Sequence, residues 1–260
     1  MAVNLMNTQI IIDIKNITAE NRLINFTESV FASEQIHLLG ANGAGKSTLL
    51  SALSGYLPIS GEIWFNGENI RYCSLTQLAK QRAYFVQLAS NAPIIKVFQY
   101  LELFLPSTPA VADIFVRLCD DFQLSSLLHK GIYQLSGGEW QRVRVCATFL
   151  QVWDDKDLTG KIILFDEPTN NLDITQQAML DKWIKYFCDC QGTVIMSGHD
   201  LNHSYKNASR IWLLKQGQLF ASGKPTDVMT ENNLSDTFKT AIKISQSTSY
   251  RQWQIINFDD

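Results

Sequence analysis

The residues best equipped for chemistry begin with GANGAGKS at positions 40–47, which follows the pattern GxxxxGK[ST]. Glycines at this density let successive backbone N–H groups fold around a phosphate, and a helix starting there adds the partial positive charge of its N-terminus. Lys46 is placed to neutralise β- and γ-phosphates, and the Ser47 hydroxyl to ligate Mg²⁺. The candidate nucleotide-binding residues are therefore Gly40, Ala41, Asn42, Gly43, Ala44, Gly45, Lys46, Ser47 and Thr48. A ligand-free glycine-rich turn is the plain alternative. The strand-like QIHLL at 35–39 and the helical run from Ser47 supply the context that the phosphate reading requires.

Carboxylates follow further along. KIILFDEP at 161–168 ends an apolar strand in Asp166 and Glu167. Asp166 is placed to hold Mg²⁺, directly or through water, and Glu167 to serve as general base or water-polarising group for attack on a γ-phosphate. In isolation the pair would read as two solvated acids. Gln87 closes another apolar run, AYFVQ at 83–87, and His199 follows TVIMS at 193–197; either alone reads as structural. Four apolar strands thus end at Gly40, Gln87, Asp166 and Ser197. Open parallel sheets bind ligands at the carboxyl ends of their strands, so dispersed segments assemble one site.

LSGGEWQR at 135–142 is the most discriminating feature. Ser136 and Glu139 have the spacing of a capping box that opens a helix. Gly137 and Gly138 leave that helix N-terminus open as a second anion site. Residues 40–47 already cradle phosphates in cis, so a second such helix end points to a nucleotide held by another copy of the chain.

These residues need a scaffold, and the hydrophobic pattern predicts one. QIIIDIK at 9–15 and EIWF at 62–65 read as further strands, and residues 47–55 and 138–151 as helices. Prolines 93, 106 and 109 break residues 88–135 into short helical pieces, as in a small inserted subdomain. A helix near 174–189 and a hairpin at 211–220 follow, and DDKDLTG at 154–160 reads as a loop. Apolar strands alternating with helices imply a buried, largely parallel sheet.

Composition narrows the class. The 260 residues are 46% apolar and 18% charged, with a formal charge of −3. A pI near 5.8 gives no global attraction to nucleic acid or anionic lipid. No apolar run approaches the roughly 20 residues of a membrane span, and the N-terminus lacks the pattern of a signal peptide. The chain is expected to be soluble and to meet a membrane only through partners. Cys188 and Cys190 flank Asp189 without a CxxC pair and read as structural thiols.

The phosphate loop, LSGGE, FDEP, NNLD and GHD, in this order and spacing, resemble an ABC (ATP-binding cassette) ATPase subunit across essentially the whole chain. The resemblance implies an α/β P-loop NTPase domain of the ABC type, with a mostly parallel sheet core, an antiparallel β part and an inserted α-helical subdomain. It places one domain over residues 1–260, the signature-bearing insert at about 88–150 and a short tail at 224–260. By the same resemblance Gln87 is the glutamine that senses Mg²⁺ and water and couples to the membrane partner. Asp173, in Asn171-Leu172-Asp173, belongs to the loop crossing the dimer interface, and His199 contacts the γ-phosphate. Glu167, His199 and Gln87 are then the catalytic set; Ser47, Asp166 and Gln87 the metal set; and Ser136, Gly137, Gly138 and Asp173 join the nucleotide from the other subunit.

Many members of the family stack adenine on an early aromatic residue; here NITAENRLINF offers Arg22 or Phe26 instead. A single cassette without fused membrane helices resembles an importer subunit acting as a homodimer on two Mg-ATP. Its implied partners are two membrane-spanning permease subunits and a periplasmic substrate-binding protein, at the cytoplasmic face of a bacterial inner membrane. LQVWDDKDLTG and the DLNH after His199 resemble the vitamin B12 importers, with siderophore and haem importers as alternatives. A soluble ABC ATPase acting on DNA or ribosomes is disfavoured by the single cassette, the acidic pI and the absence of sustained heptads.

Overall fold

Strands buried on both faces read as unbroken apolar runs, and the central sheet is built from them. The computed structural model describes residues 9–20, 22–87, 93–106, 111–153, 156–246 and 251–255. In it β1 (Ile10–Ala19), β2 (Leu23–Phe31), β4 (Ser60–Phe65) and β5 (Glu68–Asn69) form an antiparallel sheet in the order β2-β1-β4-β5. A second sheet has the order β10-β9-β3-β8-β7-β6. Its members are β3 (Gln35–Leu39), β6 (Arg82–Phe85), β7 (Ile162–Asp166), β8 (Thr193–Ser197), β9 (Arg210–Lys215) and the edge strand β10 (Gln218–Gly223). All its pairings are parallel except β9 with β10.

Every residue of β7 and of β8 is buried. Their period of two sends alternate side chains to opposite faces. Ile163, Phe165, Val194 and Met196 enter one apolar cluster, shared with Phe149, Trp183 and Phe187. Ile162, Leu164 and Ile195 enter another, shared with Ile12, Ile14, Leu49 and Trp212. The helices α1 (Lys46–Leu53), α2 (Leu75–Gln81), α3 (Val97–Glu102), α4 (Val111–Asp121), α5 (Gly137–Val152), α6 (Ile174–Asp189) and α7 (Leu201–Asn207) surround the sheet. Residues of α3, α4 and α5 share one cluster with Phe85 and Phe165. Among the described residues, no helix is long and apolar enough to cross a membrane.

Two regions differ from the sequence expectation. Residues 16–19 continue β1 beyond the strand expected at 9–15, and Leu23–Phe31, not expected as a strand, pairs with it as β2 of a hairpin. Residues 224–260, expected as a tail, carry α8 (Pro225–Val228), α9 (Glu231–Phe238) and the hairpin β11 (Ile242–Gln246) with β12 (Arg251–Ile255). Val228, Met229, Leu234 and Ile242 pack there on Ile211 and Leu213 of β9.

Candidate nucleotide-binding site

The four strands whose ends carry candidate residues are consecutive neighbours, β3-β8-β7-β6. Their carboxyl edges open into a cavity of about 590 Å³, lined by residues 42–48 together with Arg22, Gln87, Glu167 and His199. Gly40 and Ala41 lie behind that lining, and their carbonyls accept from Lys46 Nζ at 2.7 and 3.3 Å. Burial pulls the Lys46 ammonium below its ordinary value, against the opposing charges of Glu167 and Asp166.

The loop depends on glycine at two positions. A Cβ on Gly40 would collide with the Leu214 carbonyl oxygen. At Gly45, with φ +103°, it would lie 2.6 Å from the Arg22 carbonyl oxygen. The hairpin turn is stitched down at that point, since Ile24 N–H donates to Gly217 O at 2.7 Å and Gly217 N–H to Ala44 O at 3.0 Å. The turn that bears Arg22 therefore stands at the cavity wall.

Glu167 occupies the left-handed region at φ +51°, a conformation that costs a non-glycine residue about 1–3 kcal/mol and clusters at functional sites. Its carboxylate is gripped from three sides. Gln87 Nε2 donates to Oε2, Asn170 Nδ2 donates to the same oxygen at 2.8 Å, and His199 Nε2 meets Oε1. Burial works to raise the Glu167 pKa, but the hydrogen bonds from Asn170 and His199, with the charges of His199 and Lys46, outweigh it and hold the carboxyl below its ordinary value. Asp166 is buried one residue upstream and accepts from Ser197 Oγ at 2.7 Å, while Glu167 N–H donates to Ser197 Oγ at 3.0 Å. Ser197 thus orients both acids.

The second group of candidates lies outside this cavity. Ser136 caps α5: its Oγ accepts from Glu139 N–H at 3.2 Å, and Glu139 Oε2 accepts from Ser136 N–H at 2.8 Å. A Cβ on Gly138 would come within 2.9 Å of Asn171 O, whereas Gly137 faces open space. Gln141 donates to Pro168 O at 2.9 Å, so the start of α5 rests on the loop after Glu167. Asp173 caps α6, accepting from Gln176 N–H at 2.8 Å.

One expectation is corrected. Phe26 cannot meet a base, because it is fully buried with its ring edge-on to Trp212 at 5.3 Å. Arg22 is exposed at the cavity. No role for Asn170, Ser197 or Arg144 is read from the sequence. The signal for Asn170 is its spacing from Glu167, closed by a turn in which Asn170 N–H donates to Glu167 O at 3.3 Å. Arg144 is buried in α5, donates to Val86 O and lies 4.1 Å from the Phe85 ring, so it props the strand end that presents Gln87.

The residues fit a magnesium nucleotide. A Cβ on Gly40 or Gly45 would strike a backbone carbonyl oxygen, Gly43 faces open space, and among the described residues Lys46 hydrogen-bonds backbone carbonyls and no carboxylate. Among the described residues no group of three or more His, Cys, Asp or Glu side chains could hold a metal by itself. Ser47 and Asp166 offer the oxygen donors suited to Mg²⁺ with phosphate completing its shell.

A glycine loop after β3, two carboxylates at the end of β7 and a second capped helix start share one α/β scaffold, the arrangement expected of an ATP-binding subunit of the ABC class. The ABC transporter family model matches residues 23–170, and the chain belongs to that family. It is 49% identical, over 93% of its length and 96% of the relative's, to the vitamin B12 import ATP-binding protein BtuD of Photorhabdus laumondii subsp. laumondii. It is 42% identical to the BtuD of Yersinia pseudotuberculosis serotype I, over 94% of this chain and 97% of that one. Among solved structures, the ATP-binding subunit of an ABC transporter matches with a TM-score of 0.74 at 22% identity, covering 84% of this chain and 91% of that one. The cbiO1 subunit of the Clostridium perfringens transporter complex cbiONQ matches with a TM-score of 0.67 at 21% identity, over 87% and 93%.

Proposed function

We propose that the chain hydrolyses ATP to drive uptake of vitamin B12, as the peripheral subunit of an importer whose membrane path is formed by separate permease subunits. What carries the substrate assignment is the 49% identity that runs through 96% of a vitamin B12 import relative. The catalytic part rests on the grip of Gln87, Asn170 and His199 on Glu167 beside Lys46.

Residues 40–48 hold the phosphates through backbone N–H groups, and Lys46 turns from its own loop carbonyls to phosphate oxygens. Ser47 and Asp166, with Gln87 alongside, would hold Mg²⁺, which would supply charge neutralisation of the phosphates. Glu167, kept ionised, orients a water and takes up its proton, and His199 contacts the γ-phosphate. Arg22 lays its guanidinium plane along the base, a contact that tolerates more than one purine.

Ser136, Gly137 and Gly138 of a second copy offer their capped helix start to the same phosphates, and Asp173 lies in the loop between copies. The insert at 88–150 meets the permease. Its groove of about 330 Å³ is lined by Tyr84, Val86, Pro93, Tyr100, Phe104 and Trp140, with Ile94 and Leu103 exposed nearby. Of the insert, residues 88–92 and 107–110 lie outside the described residues. The subunit then works at the cytoplasmic face of the inner membrane, beside a permease served by a periplasmic binding protein.

The test is uptake. Cells lacking the chain should lose transport of labelled vitamin B12, regain it with the wild-type gene and not with Glu167→Gln. Restored siderophore or haem uptake with unchanged vitamin B12 uptake would transfer the assignment to those chelates.

A further inference from the structure

His199 stands between two very different anchors. On its N-terminal side, Gly198 has open space around its Cβ position. On its C-terminal side, Asp200 caps α7, with Oδ1 accepting from His203 N–H at 3.0 Å. At seven residues α7 is too short to be stable alone, so whatever holds it also sets where His199 stands.

Successive residues of α7 fasten it to separate parts of the fold. His203 Nε2 meets Asp181 Oδ1 of α6 at 2.7 Å, and Asn207 Nδ2 donates to Asp181 Oδ2 at 3.3 Å. Ser204 Oγ meets His37 Nδ1 of β3 at 3.0 Å. The Tyr205 ring lies 5.0 Å from Trp253 of the C-terminal hairpin. His37 is buried three residues before the phosphate loop begins at Gly40, and its ring stacks on His203 at 5.5 Å. Asp181 sits on the helix that Asp173 caps.

We infer that His203 is a positioning residue for ATP hydrolysis: through Asp181 it pins α7 to α6 and so holds His199 against Glu167. The inference rests on the catalytic reading of Glu167 and His199. The His203–Asp181 pair links the loop around Asp173 to the γ-phosphate end of the same subunit's cavity.

The pair is also built to be charged. The hydrogen bond to Asp181 raises the His203 pKa, burial opposes it, the charges of Asp181 and Asp200 raise it further, and Lys206 lowers it. His37, the titratable neighbour from β3, is pushed down to about 3 by burial and by the His203 charge, so it stays neutral. A raised pKa means that the ion pair is complete below the ordinary histidine value and is lost as pH rises through the folded-state value.

The experiment uses the full chain and measures kcat, KM for ATP and melting temperature. Because displacement of a catalytic group by about 1 Å costs up to ~10²-fold, His203→Ala and Asp181→Ala should each lower kcat about tenfold, with KM nearly unchanged. The double variant should be no slower than the slower single one. Wild-type kcat should fall on the alkaline side of the histidine range, and His203→Gln, which keeps a donor without a titration, should lose that limb while recovering part of the rate. If His203→Ala fails to fold, Asp181→Asn carries the same measurements. Wild-type kcat in both alanine variants overturns the inference, as does a fall in kcat and ATP affinity that tracks melting temperature. A parallel Glu167→Gln sample with wild-type turnover would instead remove the catalytic reading and, with it, this one.

Discussion

Replacing Glu167 by glutamine separates chemistry from folding and binding. The carboxylate side chain is 14% exposed, with Oε2 accepting from Gln87 and Asn170 and Oε1 facing His199 Nε2. In Glu167→Gln the remaining oxygen still accepts from Gln87 and Asn170, and the new amide N–H faces His199 Nε2. What is lost is charge assistance, about 1 kcal/mol as the difference between charged and neutral hydrogen bonds. For a chain of this size that lowers the melting temperature by about 2–4 °C. The chemical step loses far more: a positioned general base contributes about 10²–10⁴-fold, or about 3–5 kcal/mol of barrier.

The assay is phosphate release at saturating Mg-ATP, with ATP binding measured calorimetrically on the same preparation. The expected result is binding within a few-fold of wild type and turnover down by about two to four orders of magnitude. Near wild-type turnover with binding intact would refute the role of Glu167. Binding lost together with turnover would mean that the carboxylate holds the site together rather than acting as a base. The pH dependence adds a check on the wild-type chain. Because the folded-state carboxyl lies below its ordinary value despite burial, Glu167 stays a base through the neutral range. Its contribution to stability is complete above the ordinary carboxylate value and is lost as pH falls through the lower folded one.

Further outcomes follow from the same geometry. Lys46→Ala removes a charged donor worth about 1.5–3 kcal/mol, so ATP affinity should fall about 10–100-fold by calorimetry. Gly45→Ala sets a methyl 2.6 Å from Arg22 O at φ +103°, a strain of about 1–3 kcal/mol. It should lower both melting temperature and ATP affinity, whereas wild-type values for both would contradict the tight loop–turn contact. Arg22→Tyr should keep ATP affinity and Arg22→Lys should lose part of it if the guanidinium plane holds the base; the opposite ranking would make Arg22 a phosphate contact.

Sequence makes the site motifs legible because each is contiguous and ends a strand or starts a helix. TVIMS is β8 because its buried run is unbroken, and the helix predicted near 174–189 is α6 because Leu180, Trp183, Ile184 and Phe187 recur at helical spacing. The hairpin strand β2, LINFTESVF, escapes notice because Thr27, Glu28 and Ser29 interrupt its pattern. Phe26 shows what spacing omits: it lies in the right segment, but strand alternation turns it into the core beneath Trp212. Asn170 reaches Glu167 only because the backbone at Glu167 turns left-handed, which residue types do not announce. The tie of α7 to α6, β3 and β12 likewise joins residues far apart in the chain, among them His37 and Ser204.

The most direct test of the account is to recover the tagged Glu167→Gln chain from membranes in Mg-ATP and identify what comes with it. The account predicts a second copy of the chain, a multi-span membrane protein and vitamin B12 or its binding protein. Recovery of ribosomes, DNA or the chain by itself would contradict the importer assignment.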